Sequence, residues 1–351
     1  NMIERRRSIT GEVFAYRMDQ PVAPYLMSLA IGQYEIYNIG SYQGKPLYVW
    51  TPEKIKDRTL AETSGTEKMM EVFSDFTGTE YPFPLYSQSV AQAWGSSMEH
   101  QSATTMGGMR ITGDMSGEGV VAHELAHQWF GDYVTCEIWE ELWLNEGCAS
   151  YLPMVYFTQT GKRSDALGYF DWWRDGYFTE SEFFVRALST DNIAPGEIFD
   201  SHSYEKGALI IHMMRTLANQ MPSESSYQDN FTQALELYFT KHGLGNVRYQ
   251  YLQAALEEVT GTSWQPFFTQ WVRSPGHPIL GVSHEVDGDG QLLLTVEQKQ
   301  ATRDDRQWRT FSFPLEVEVI MADGRTSTYK IDIYDAKMTI PLSTGGDVAG
   351  V

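Results

Sequence analysis

Two histidines four residues apart, with a glutamate directly after the first, are the strongest chemical signal in the sequence. His123, Glu124 and His127 stand in the order His-Glu-Leu-Ala-His. Positions i and i+4 of a helix share one face, so both imidazoles can reach one metal ion while Glu124 flanks the adjacent water. The pattern predicts a zinc site with a carboxylate base. A chance occurrence on a surface helix is the alternative.

The residues around this motif favour the metal site. Its apolar neighbours are Val120, Val121, Leu125, Ala126, Trp129 and Phe130. Two histidines and a glutamate inside such a helix need a partner, because unpaired charge is costly in apolar surroundings, and a cation supplies that partner.

A third ligand is available at the start of the next predicted helix. Glu146 lies there in the segment Trp-Leu-Asn-Glu-Gly. Two histidines and one carboxylate leave zinc an open position for water, which is typical of catalytic rather than structural sites. Asn145 either orients a ligand histidine or is a helix-surface amide.

The elements that must position these residues include both strands and helices, which predicts an α+β fold. Strands are predicted before the motif and after a Pro- and Gly-containing hinge at 274–278, with a mostly helical region between them. The predicted strands are 11–17, 25–37, 45–50, 86–94, 292–297, 310–321, 326–334 and 337–341. The predicted helices are 54–76, 142–157, 163–173, 206–220, 229–240 and 249–260, together with the motif helix. Ser116 is expected to cap that helix and Gly131 to stop it.

Composition and charge exclude several classes of protein. The 351 residues carry a formal charge of −20, which disfavours a nucleic-acid partner. No apolar run approaches the roughly 20 residues of a membrane span. Cys136 and Cys148 are predicted to be two free, buried thiols.

The sequence around the predicted ligands resembles the M1 family of gluzincin aminopeptidases, which includes aminopeptidase N and leukotriene A4 hydrolase. The resemblance rests on the segments 121–132 and 134–136, and on the spacing of eighteen residues between His127 and Glu146. It extends over most of the chain. It implies one zinc ion per chain held by His123, His127 and Glu146. It also implies a thermolysin-like catalytic domain, a small mixed sheet followed by a mostly helical part.

Two further family motifs imply roles for other residues. The resemblance makes Glu99 the anchor of the substrate's free α-amine, with Met98 and Ser97 beside it on a substrate-binding strand. It makes Tyr204, in Tyr-Glu-Lys-Gly, the donor of a hydrogen bond to the oxyanion. This chain departs from the family where Ser96 replaces a glycine and His100 an asparagine. It departs again at Pro153, where many relatives carry a glutamate.

The resemblance divides the chain into three parts. Residues 1–38 are expected to be the end of a mostly absent β-rich domain, 39–277 the zinc peptidase domain and 278–351 a β-sandwich. The predicted function is removal of N-terminal residues from peptides with a free N-terminus. A thermolysin-type endopeptidase and a non-catalytic binding scaffold remain alternatives. The sequence predicts a soluble chain and leaves its compartment open, a periplasmic or secreted full-length form included.

Overall fold

The computed structural model describes residues 2–9, 11–191, 193–223, 228–288, 291–302, 310–344 and 347–351. The chain divides into two compact units. The first contains residues 1–183 and 188–265, and the second contains residues 184–187 and 266–351. The division into 1–38, 39–277 and 278–351 stays a prediction. No helix in the described ranges is both long and apolar enough to cross a membrane.

The first unit begins with an antiparallel hairpin and a mixed four-stranded sheet. The hairpin pairs β1 (Met2–Ser8) with β2 (Gly11–Tyr16). The sheet has the order β3 (Glu35–Tyr42), β4 (Lys45–Thr51), β5 (Tyr86–Ala91) and β6 (Ala103–Gly107). Only β3 and β4 pair antiparallel, whereas β4, β5 and β6 run parallel. The sheet therefore matches the predicted small mixed sheet.

Eight helices follow or cover this sheet in the described part of the first unit. They are α1 (Lys56–Glu62), α2 (Thr66–Thr77), α3 (Glu118–Ala126), α4 (Trp143–Gln159), α5 (Arg163–Ser181), α6 (Gly207–Gln220), α7 (Asn230–His242) and α8 (Tyr249–Thr260). A π-helical turn, His202–Lys206, leads directly into α6. The short strands β7 (Val134–Cys136) and β8 (Gly245–Val247) pair parallel between these helices.

The second unit contains two three-stranded sheets. Their strands are β9 (Leu280–Val286), β10 (Leu292–Gln298), β11 (Phe313–Met321), β12 (Thr326–Ile333), β13 (Lys337–Leu342) and β14 (Val348–Gly350). One sheet has the order β13-β10-β9 and the other β12-β11-β14. Alternate residues of β10, β11 and β12 share one apolar core, so the predicted β-sandwich is confirmed.

Several local predictions were wrong. The predicted strand 25–37 begins only at Glu35, because the apolar side chains Met27, Leu29 and Ile31 are exposed and have no sheet partner. The predicted helix 54–76 is broken at Thr63, whose hydroxyl bonds back to the Thr59 carbonyl.

Helix ends also differ from the prediction. Gly117, rather than Ser116, is the N-cap of α3. The backbone N–H of Ser116 donates to Asp114 Oδ1 at 3.0 Å and its hydroxyl contacts Thr112, so the serine is engaged in the preceding loop. Pro153 lies inside α4 without ending it. Both cysteines are buried and free, as predicted.

Candidate metal centre and active site

Three side chains converge where α3 faces the start of α4. His123 and His127 come from α3 and its last turn, and Glu146 comes from the first turn of α4. The Nε2 atoms of His123 and His127 lie 3.1 Å apart. Oε2 of Glu146 lies 3.4 Å from Nε2 of His123 and 3.1 Å from Nε2 of His127. Helical spacing brings the histidines together, and helix packing adds the carboxylate.

The tautomer of His127 follows from its backbone contact. Its Nδ1 lies 2.9 Å from the carbonyl oxygen of Phe130, which can only accept, so Nδ1 carries the hydrogen. Nε2 then presents a lone pair to His123 and Glu146. A carboxylate oxygen and two imidazole nitrogens that face one another at such distances are well placed to hold a cation.

These residues fit a zinc ion. Oε2 of Glu146 is buried and accepts no hydrogen bond within the described ranges. Ligand atoms about 2.1 Å from an ion, at angles between octahedral and tetrahedral values, lie about 3.0–3.4 Å apart. The observed separations fall in that range. His127 and Glu146 are buried, whereas the His123 side chain is 19% exposed, which leaves one side open.

The charges of this cluster act strongly on one another. Burial raises the pKa of Glu146, but the imidazoles of His127 and His123 outweigh that effect and hold the pKa below its usual range. Burial raises the pKa of Glu124 well above its ordinary value, and Glu99 raises it further. Burial opposes protonation of His127, yet Glu99 and Glu146 raise its pKa overall. These five acidic or basic groups are therefore close enough to shift one another's protonation.

Tyr204 and Glu99 reach the same volume from different elements. The ring of Tyr204, on the π-helical turn, lies nearly parallel to that of His123 with centroids 6.2 Å apart. Burial, followed by the charge of Glu146, raises the pKa of its phenol, which keeps it protonated as a donor. Glu99 is 6% exposed, and its charge contributes to the raised pKa values of Tyr204 and Glu124.

The segment that bears Glu99 runs beside the edge strand β6. Met98 forms an isolated antiparallel bridge with Thr105, and its N–H donates to the Thr105 carbonyl at 2.9 Å. Ser97 Oγ accepts from the N–H of Gly107 at 3.1 Å. His100, which stands where the family has asparagine, contacts Thr105 Oγ1 through Nδ1 at 3.0 Å. These bonds fix the segment against β6.

Sequence reasoning missed a residue that joins this segment to the histidine helix. Gln128 is fully buried; its Nε2 donates to the Glu99 carbonyl at 3.0 Å and its Oε1 accepts from the Ser102 N–H at 2.7 Å. In the sequence, the one feature that could have drawn attention to Gln128 is its position as a single amide between His127 and Trp129. Asn145 is buried, so the interpretation as a helix-surface amide is wrong; its Oδ1 accepts from the Cys136 N–H at 3.2 Å and its Nδ2 donates to the Tyr25 hydroxyl at 3.4 Å.

Two glycines set the distance between Glu146 and Tyr204. A methyl group on Gly147 would come within 2.8 Å of the Gly207 backbone, and one on Gly207 within 2.8 Å of Gly147. Both glycines belong to motifs already noted, Asn-Glu-Gly and Tyr-Glu-Lys-Gly. They allow the π-helical turn to lie directly against α4.

Comparison with known proteins agrees with this arrangement. The model of the peptidase family M1 domain matches residues 61–271, which is more than half of the chain. The chain therefore belongs to peptidase family M1, and the resemblance drawn from its motifs is confirmed.

Individual relatives are distant and longer. The chain is 26% identical over 348 residues to tricorn protease-interacting factor F2 of Thermoplasma acidophilum, covering 93% of this chain and 41% of that protein. It is 27% identical to probable aminopeptidase 1 of Sulfurisphaera tokodaii, covering 93% and 42%. The chain thus spans about two-fifths of the length of these curated relatives.

Solved structures share the fold. Aminopeptidase A of Legionella pneumophila, in complex with aspartic acid, matches with a TM-score of 0.79 and 18% identity, over 97% of this chain and 39% of that one. A mutant of an M1 zinc metallopeptidase from Deinococcus radiodurans matches with a TM-score of 0.63 and 24% identity, over 80% and 61%. The α+β fold expected from the sequence is confirmed.

Proposed function

We propose that this chain is the catalytic part of a zinc aminopeptidase, with one zinc ion held by His123, His127 and Glu146. The observation that carries the proposal is the convergence of these three ligand atoms beside a buried glutamate and a phenol. The names of the relatives, several of which are aminopeptidases, support it. When bound, zinc supplies Lewis acidity and a lowered pKa for water.

Glu124 is the proton carrier. It directly follows His123 and is buried, and Oε2 accepts no hydrogen bond within the described residues. A carboxylate so placed accepts the proton of the attacking water and delivers it to the leaving amide nitrogen. Its raised pKa brings proton affinity closer to working pH, which favours both transfers.

Tyr204 and Glu99 act on the two ends of the first peptide unit. The protonated phenol of Tyr204 donates a hydrogen bond to the carbonyl oxygen as negative charge develops there. Glu99 holds the α-ammonium of the substrate, with Met98 and Ser97 supplying the adjoining backbone and hydroxyl. An ammonium held at a fixed place limits cleavage to the first residue. The expected substrates are therefore peptides with a free N-terminus.

Hydrolysis of fluorogenic alanyl and leucyl amides, compared with their N-acetylated forms, tests this function. We expect cleavage of the free-amine substrates only, abolished by a zinc chelator and restored by zinc. Equal cleavage of the acetylated substrates would identify an endopeptidase. Cleavage that survives chelation would refute the metal-dependent reaction. Absence of cleavage in a chain that retains zinc would favour a binding scaffold.

A further inference from the structure

A second group of one histidine and two carboxylates lies in the first unit. Glu180 is near the end of α5, and Asp200 and His202 flank the start of the π-helical turn. Nδ1 of His202 lies 3.3 Å from Oε2 of Glu180 and 3.3 Å from Oδ2 of Asp200. His202 is fully buried, and the side chains of Asp200 and Glu180 are 9% and 27% exposed. Two separate segments of chain, the end of α5 and the start of the π-helical turn, thus direct ligand-type atoms to one point.

The distances suit an intervening ion better than a direct ion pair. A charge-assisted N–H···O bond is about 2.7–2.9 Å long, and a single ring N–H is directed at one acceptor. Here two oxygens from different residues stand equally far from one nitrogen. Ligand atoms bound to a common ion are about 3.0–3.4 Å apart. The separations match those in the first cluster, which are 3.1 and 3.4 Å.

The two clusters share another feature. Oε2 of Glu180, like Oε2 of Glu146, is buried and accepts no hydrogen bond within the described ranges. Burial of an anionic oxygen without such a bond is costly and calls for a positive charge nearby. All three ligand-type atoms of each cluster lie within 4.8 Å of one another.

We propose that Glu180, Asp200 and His202 bind a second divalent cation, separate from the catalytic zinc. Mixed imidazole and carboxylate ligands suit Zn²⁺ or Mn²⁺. The site is structural in role, because Asp200 also holds the turn: its Oδ1 accepts from the Ser203 N–H at 3.0 Å, and its carbonyl accepts from the Tyr204 N–H at 3.3 Å. The ion would thereby fix the turn that carries Tyr204, and only this consequence rests on the proposed function.

The competing arrangement is a set of direct contacts between His202 and the two carboxylates, with no metal bound. Lys206 lies on the same turn, with its Nζ 5.3 Å from the centroid of the Tyr177 ring. The ring of Tyr177 also packs edge-on against His202. Metal binding decides between the two arrangements, because only one of them holds an ion.

The test is metal binding by a variant that lacks both histidines of the first cluster, His123→Ala/His127→Ala. After equilibrium dialysis against Zn²⁺ or Mn²⁺, we expect this variant to retain one ion per chain. Adding Glu180→Gln should remove that ion, because the amide keeps the size but loses the charge. Adding Glu182→Gln, an exposed glutamate near the same helix end, is the matched control and should leave the ion in place.

Two outcomes would overturn the proposal: no ion retained by the double-alanine variant, or equal retention after Glu180→Gln. If the double-alanine variant does not fold, the otherwise unaltered chain serves instead, with Glu180→Gln expected to lower zinc content from two ions to one. The readout requires no turnover. Failure of the peptidase hypothesis would therefore leave this test intact, and the converse also holds.

Discussion

The two clusters of histidine and carboxylate have similar interatomic distances and different surroundings. In the first, His123 is partly exposed, and Glu124, Glu99 and Tyr204 lie within reach. In the second, His202 is fully buried beside Tyr177, and Asp200 bonds the backbone of its own turn. Ligand geometry alone therefore does not define an active site. Access for substrate and a proton carrier beside the ligands distinguish a catalytic centre from a structural one.

The largest expected effect comes from replacing Glu124, the residue that we propose carries the proton beside the first cluster. Glu124→Gln keeps the shape of the side chain and abolishes its basicity. We expect kcat to fall by about 10²–10⁴-fold, with zinc still bound. Turnover of alanyl amides, measured alongside zinc content, checks this. Retained activity in the zinc-loaded variant would remove Glu124 from its assigned role.

Tyr204→Phe tests the second difference between the clusters, the phenol stacked beside His123. Loss of one donor to the developing oxyanion should lower kcat by about 10²–10³-fold with little change in KM. Steady-state kinetics separate the two constants. Tyr251→Phe, on α8, is a control that keeps the same chemical change away from the site. A rise in KM alone would mean that the phenol binds substrate without acting on the transition state.

Glu99→Ala tests the residue that we propose binds the α-ammonium of the substrate and so limits cleavage to the first residue. A charge-assisted bond to the α-ammonium contributes about 1.5–3 kcal/mol, so kcat/KM for free-amine substrates should fall about 10- to 100-fold. Any residual rate on N-acetylated substrates should not change. Glu71→Ala, an exposed glutamate on α2, controls for the loss of charge. Equal losses on both substrate classes would contradict the anchor role.

Glu180→Gln should affect catalysis less, because the second cluster acts only through the turn that bears Tyr204. We expect kcat to fall about three- to tenfold with KM nearly constant. The effect should disappear in the Tyr204→Phe background, because there is then no phenol to position. Additive losses in the double variant would show that Glu180 affects activity by another route.

The smallest expected effect is on the stability of the loop before α3. In this loop, as in the turn of the second cluster, an aspartate Oδ1 accepts a hydrogen bond from a nearby backbone N–H. Asp114 Oδ1 accepts from the Thr112 hydroxyl at 2.7 Å and the Ser116 N–H at 3.0 Å. These bonds, led by that of Thr112, lower its pKa to about 2. Because the folded pKa is depressed, the stabilisation is present above the unfolded value of about 3.9 and is lost as pH falls through about 2.

Thermal unfolding of Asp114→Asn at two pH values tests this. The variant should unfold at a lower temperature than the unaltered chain near pH 6, and the difference should shrink towards pH 2. Asp57→Asn, on α1, is a control that makes the same chemical change at another aspartate. A difference that is the same at both pH values would exclude the charge of Asp114 as its source.

Much of the first cluster could be predicted because its spacing is local. His123 and His127 share a helix face, and Glu146 belongs to a short motif in the next helix. The role of Gln128 could not be predicted, because its partners, Glu99 and Ser102, lie on a distant segment. The second cluster was missed because no motif or helical periodicity links Glu180 to Asp200 and His202, and only the packing of α5 against the turn brings them together.

The sequence by itself determined the family, the α+β class and the candidate ligands, because local spacing and apolar patterning report on single helices and strands. The tertiary structure decided which distant groups meet. Close contact of Gly147 with Gly207 lets the turn of Tyr204 lie against α4, and Gln128 holds the Glu99 segment to α3. Such contacts depend on backbones approaching across long stretches of chain, and side-chain type at one position does not encode its partner at another.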